Sequence, residues 1–145
     1  MGGPSRRPEG GAWGDDAGLL TLPSGARVRG RRIVDDASAA DFALVLARGP
    51  LPPWPSRRVR WPDLWVPLDR ADAVDALREA LRRATAGERV EVACRGGVGR
   101  TGTALAAFAV LEGLAPGEAV AWVRARYHPH AVETPWQRWW LRSLS

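Results

Sequence analysis

Residues 94–102 read Cys94-Arg95-Gly96-Gly97-Val98-Gly99-Arg100-Thr101-Gly102, between a short β-type run at 90–93 and an apolar stretch at 101–112 that stops at Gly113. A strand that passes through glycines straight into a helix leaves few folds open. Glycine allows the backbone to turn with its N–H groups converging on one concavity. The following helix adds the positive end of its dipole. Strand, glycine loop and helix together are the layout of a phosphate site.

The side chains in this loop match that environment. A cradle for anions stabilises the thiolate of Cys94, the nucleophilic form of the residue. Arg100 closes the ring with a planar fork able to hold two phosphoryl oxygens, and Thr101 is placed to hydrogen-bond the sulfur. Residues Arg95, Gly96, Gly97, Val98 and Gly99 supply the floor that would bind the phosphoryl group. A lone cysteine at a strand end is otherwise a small buried hydrophobe; the loop and Arg100 argue for reactivity instead. Two rival motifs overlap the segment. Residues 97–102 satisfy the dinucleotide-binding GxGxxG, but only 43 residues follow Gly102, too few for the further βαβ units of that fold. A Walker A loop would need glycine at 94 and lysine at 100.

The chain has 145 residues with 46% hydrophobic content, enough for one core. Residues 1–17, rich in Gly, Pro, Arg and Asp, are expected to form a flexible tail, leaving 18–145 as the domain. Residues 19–22 and 26–29 flank Pro23-Ser24-Gly25 and read as a hairpin. Residues 42–46 read as a buried strand. Val74, Leu77, Leu81 and Ala84 share a face of a helix over 71–86. A second helix runs over 116–127 with Val120, Val123 and Tyr127 inward, and a last one starts near Thr134-Pro135, with Trp136, Trp139 and Trp140 packing it on the core. The expected class is α/β: a central, mainly parallel twisted sheet flanked by helices.

The net charge of +5 comes from arginine alone, since the chain has no lysine. It favours anionic partners, but the arginines are spread along the chain, and pairs such as Arg31-Arg32, Arg57-Arg58 and Arg82-Arg83 read as solvated surface rather than a specific nucleic-acid site. A single cysteine rules out an internal disulfide. No stretch suits a membrane span or a signal-peptide core, so a cytoplasmic monomer is expected. His128 and His130 lack the companions of a metal site, and neither metal nor cofactor is expected.

The loop resembles the signature of the protein tyrosine and dual-specificity phosphatase superfamily: cysteine, five residues, arginine, then Ser or Thr. Trp61-Pro62-Asp63-Leu64-Trp65-Val66-Pro67 is similar to that family's movable acid-bearing loop, with Asp63 lying 31 residues before Cys94. Read alone it is a turn with an aromatic anchor. The resemblance implies Asp63 as general acid and then general base, with Asp69 as the fallback. Glu133-Thr134-Pro135-Trp136-Gln137 resembles the segment whose glutamine positions hydrolytic water, which implies a place at the site for Gln137 and Glu133; the same residues also form a capping box. The chain departs from the family at Ala93, where a histidine is usual, and lacks a counterpart of the tyrosine-recognition loop. The implied activity is hydrolysis of phosphomonoesters through a cysteinyl-phosphate. Phosphotyrosine on proteins is the leading substrate, phosphoserine and phosphothreonine come next, and a phosphoinositide or an RNA 5′-phosphate remains open. The alternatives are a rhodanese-like sulfurtransferase and a non-catalytic phosphotyrosine-binding domain.

Overall fold

Strand β5 (Val90–Cys94) is central to everything that follows, because its C-terminal residue is the cysteine. In this computed structural model, which describes Trp13, Gly14 and residues 16–145, β5 lies between two parallel neighbours. These are β2 (Arg27–Arg32), in register from Val28 opposite Val90 to Arg32 opposite Cys94, and β3 (Phe42–Val45), from Phe42 opposite Val90 to Val45 opposite Ala93. Beyond its last residues the pairing continues, with Ile33 N donating to Cys94 O at 2.8 Å and Leu46 N to Ala93 O at 2.8 Å. The end of β5 is therefore clamped on both sides.

The sheet is completed by β1 (Leu19–Thr21), antiparallel to β2, and β4 (Ser56–Arg58), parallel to β3, in the order β1-β2-β5-β3-β4. The hairpin expected at 19–29 is present, turned at Gly25 with φ 96°. β4 was not legible in the sequence. It follows a proline cluster and carries two adjacent arginines, so only pairing with β3 makes it a strand.

Helix α1 (Arg70–Thr85) begins where the Asp69 side chain accepts a hydrogen bond from Asp72 N and ends before Gly87, φ 96°. Its buried face is Ala73, Ala76, Leu77, Ala80 and Ala84; Val74 and Leu81, expected inside, flank it. The alanines let α1 lie close to its neighbours. α2 (Gly99–Leu111) is buried from Gly99 through Val110, wedged between the sheet, α1, α3 (Pro116–Arg126) and α4 (Pro135–Arg142). Val28, Phe42, Leu44, Val90, Val92 and Cys94 face it, joining Leu105 and Phe108 in one core. Each such side chain contributes about 1.5–3 kcal/mol by leaving water.

On the opposite sheet face Glu91 is fully buried between Arg29 and Arg31. Its carboxylate also accepts from Trp54 Nε1, and Arg29 lies over the ring of Trp13. The tail expected at 1–17 lies mostly outside the described residues, but Trp13 and Asp16 are packed: Trp13 is buried and Asp16 accepts from Ser38. Several arginines expected on a solvated surface are likewise engaged. Arg31 is held by Glu91, and Arg57 is held by Asp72, Asp75 and Glu79 of α1. Among the described residues no helix is long and apolar enough to cross a membrane.

Candidate active site

Cys94 is 2% exposed at the end of β5, and its Sγ accepts a hydrogen bond from Gly97 N at 3.2 Å. The loop that follows is shaped by contacts from behind. Gly97 has φ 70°, and a Cβ there would lie 2.9 Å from Arg32 N; a Cβ on Gly99 would meet the Glu133 carboxylate. Glu133, an exposed residue, thus lies against Gly99 of the loop. α2 starts two residues earlier than the sequence suggests, so Arg100 belongs to its first turn. Its N-cap, Val98, has no side-chain acceptor, which leaves the N–H groups of the first turn for an anion.

The guanidinium of Arg100 is positioned by the backbone. Nη1 donates to Leu46 O at 2.8 Å, just past β3, and to Trp61 O at 2.9 Å, at the start of the acid-bearing loop. Its Nε is buried and makes no hydrogen bond among the described residues. An unsatisfied buried donor of this kind costs about 1–3 kcal/mol, a cost that an oxyanion would remove. Asp63 Oδ1 lies 3.5 Å from that Nε, an electrostatic contact rather than a hydrogen bond, and its side chain is 71% exposed. Arg100 and Asp63 line the same cleft of about 470 Å³, with Arg95 on its wall. Asp69, the fallback acid, caps α1 instead.

Two expectations meet a different geometry. The Thr101 hydroxyl is buried and makes no hydrogen bond among the described residues, so the bond to the sulfur is not formed here. Gln137 is fully buried and does not line the cleft. Its Oε1 accepts from Glu133 N and Thr134 N, completing the capping box, and its Nε2 donates to Trp65 O at 3.1 Å. It grips the acid-bearing loop from behind rather than facing a substrate.

The rest of α4 does the same. Trp136 Nε1 donates to Leu64 O and its ring lies 5.5 Å from that of Trp65, while Trp140 packs against Trp61 with ring centres 5.4 Å apart and planes tilted by 55°. Only Trp140 of the three tryptophans reaches the core; Trp136 is partly exposed and Trp139 faces solvent. Leu64, with φ 62°, is strained within this loop.

Tyr127, expected to face inward, packs against the core, and its hydroxyl donates to Gly97 O at 2.5 Å. It reaches the loop by crossing Gly30 of β2, where a Cβ would lie 2.7 Å from the ring. Burial, and then the nearby charge of Cys94, push the phenol above its ordinary range, which keeps it a donor. An aromatic residue with a polar tip at a helix end was the only signal in the sequence.

Comparison with known proteins gives one family match and several similar folds. Residues 66–143 match the family described as PTP-SAK, Swiss Army Knife protein, DSP-PTPase phosphatase domain. The matched span holds Cys94, Arg100, Thr101 and Gln137 and begins just after Asp63. Among solved structures the chain is similar to Tk-PTP in its active form, with TM-score 0.65 and 29% identity over 72% of this chain and 78% of that one. It shares its fold with PTPMT1 in complex with PI(5)P, at TM-score 0.64 and 18% identity over 72% and 76% of the two chains. It shares it also with kinase associated phosphatase, at 0.62 and 15% over 72% and 67%.

Proposed function

The chain belongs to the DSP-PTPase phosphatase domain family, and from that premise we propose that it hydrolyses phosphomonoesters through a cysteinyl-phosphate intermediate, with phosphotyrosine on proteins as the leading substrate and phosphoserine or phosphothreonine next. The observation that carries this reading is the pairing of Arg100 and Asp63 across one cleft, 3.5 Å apart, beside the loop that begins at Cys94. An anion-binding thiolate alone would suit several chemistries; a carboxyl group beside the anion site suits ester cleavage.

In this mechanism the phosphoryl oxygens occupy the N–H groups of residues 95–99 and the buried fork of Arg100. Cys94 Sγ attacks phosphorus, an S–P bond forms, and the P–O bond to the leaving group breaks. Asp63 gives its proton to the departing oxygen. Water then attacks phosphorus, Asp63 takes its proton, and the S–P bond breaks to release phosphate and the thiolate. The unpaired Thr101 hydroxyl is the donor at hand for the leaving sulfur. Gln137 acts on both halves of this cycle by holding the loop that carries Asp63. A single thiol that must stay reduced suits the cytoplasm as its location.

Turnover of an aryl phosphate under mildly acidic conditions tests the proposal. Cys94→Ser is expected to abolish it, and Asp63→Ala to lower kcat by about 10²–10⁴-fold. Wild-type activity in the serine variant would overturn the mechanism. Thiosulfate-to-cyanide transfer that survives Asp63→Ala, without phosphatase activity, would support a sulfurtransferase instead.

A further inference from the structure

The cleft holds far more positive charge than one phosphate needs. Its wall carries Arg48, Arg58, Arg60, Arg95 and Arg100, and Asp63 is the only carboxylate among its lining residues. Several arginines of the sheet and α1 are instead paired with acids. Arg29 and Arg31 share Glu91, Arg83 pairs with Glu79 and Glu88, and Arg57 is surrounded by three carboxylates.

Arg58 follows Arg57 on β4, yet its side chain turns to the other side of the sheet, where backbone carbonyls replace acids. Its Nη1 donates to Ala47 O and its Nη2 to Gly49 O at 2.6 Å. Carbonyls orient a guanidinium without neutralising it, so Arg58 keeps its charge in a half-buried setting. Arg48, Arg60 and Arg95 are exposed and form no ion pair among the described residues.

During the first chemical step Asp63 is protonated, the thiolate carries one negative charge, and the reacting phosphate carries about two. Five guanidiniums then leave roughly two positive charges uncompensated. The wall between them is apolar, with Val59, Trp61 and Leu68. A cleft of about 470 Å³ is the size of an ordinary small-ligand pocket.

Building on the hydrolase reading above but departing from its leading substrate, we propose that Arg58, with Arg48 and Arg60, forms a second anion subsite, and that this subsite shifts the preference from phosphotyrosine to a compact phosphomonoester carrying a second phosphate group. That second phosphate meets a preoriented fork and gains charge-assisted hydrogen bonds that a monophosphate lacks.

Two measurements test this. In the first, kcat/KM is compared for an aryl monophosphate, a soluble inositol bisphosphate, a phosphatidylinositol bisphosphate in phosphatidylcholine vesicles, and a doubly phosphorylated peptide. The wild type is expected to favour at least one of the two inositol bisphosphates over the monophosphate by roughly tenfold or more. Arg48→Ala/Arg60→Ala, which leaves the Arg58 fork in place, should lower that ratio several-fold, chiefly through KM. Arg78→Ala, on the exposed side of α1, should not change it. A preference for the soluble compound would identify a free metabolite as the source, and one for the vesicles a lipid headgroup; both satisfy the proposal.

The second measurement is the affinity of the soluble bisphosphate for Cys94→Ser by calorimetry, with and without the paired arginine changes. It does not depend on turnover, so it tests the subsite even if no phosphomonoester is hydrolysed and the hydrolase reading fails. The paired substitutions should weaken binding by about the same factor. Equal kcat/KM for mono- and bisphosphates, a ratio unmoved by the double variant, unchanged affinity in the calorimeter, or a preference confined to the peptide would each overturn the proposal.

Discussion

Gly97 is held by both of its polar groups: its N–H donates to Cys94 Sγ and its carbonyl accepts from the Tyr127 hydroxyl. Tyr127 is therefore a positioning residue for the loop, in a chain where Ala93, and not the histidine usual in the family, precedes Cys94. Tyr127→Phe keeps the ring over Gly30 but leaves a carbonyl without its partner. The expected cost is about 1–3 kcal/mol in urea denaturation. A merely structural role would stop there. Because the same glycine also binds the sulfur, alkylation of Cys94 by iodoacetamide near neutral pH should slow as well, and kcat should fall with KM little changed. If alkylation and kcat match the wild type, the hydroxyl only fills space.

The acid-bearing loop and α4 behave as one element. Two side chains of α4 donate to loop carbonyls, Trp136 to Leu64 and Gln137 to Trp65, and Trp140 packs on Trp61 at the loop's entry. The loop in turn supplies the Trp61 carbonyl that orients Arg100. Displacing a catalytic group by about 1 Å can cost about 10²-fold in rate. Gln137→Ala is thus expected to lower kcat by roughly ten- to hundredfold while KM moves little. In the Asp63→Ala background the same change should have almost no further effect on kcat. Independent, multiplicative losses in the double variant would sink the coupling.

At the scale of the molecule, one face of the sheet is closed by helices and the other by an ion network. Burial alone would raise the Glu91 carboxyl, but hydrogen bonds and charges from Arg31 and Arg29 outweigh it and hold the group below its ordinary value of 4.5. A carboxyl lowered on folding stabilises the native state above the unfolded value, and that stability is lost as pH falls through the folded value. The melting temperature should accordingly drop as pH is taken below about 4.5. Glu91→Gln should remove this part of the drop and cost about 3–5 kcal/mol near neutral pH, since it leaves two buried guanidiniums facing a neutral group. A variant as stable as the wild type at pH 7 would show that the network is dispensable.

The α/β class, the hairpin, α1 and the Cys94 to Arg100 loop were legible in the sequence because each depends on neighbours close along the chain: a glycine, a cap, a helical period. The family resemblance added Asp63 in the same local way, through a short motif. Other features depended on residues distant in sequence. β4 is a strand because β3 pairs with it. Arg57 and Arg58 differ because α1 lies on one side of β4 and the cleft on the other. Gln137 grips a carbonyl 72 residues away, and Tyr127 reaches Gly97 only across Gly30. The candidate site residues lie in short segments that the sequence shows, while the posts of the residues that hold those segments were decided by packing, because hydrogen bonds and charge pairs between remote residues leave no periodic trace in a single chain.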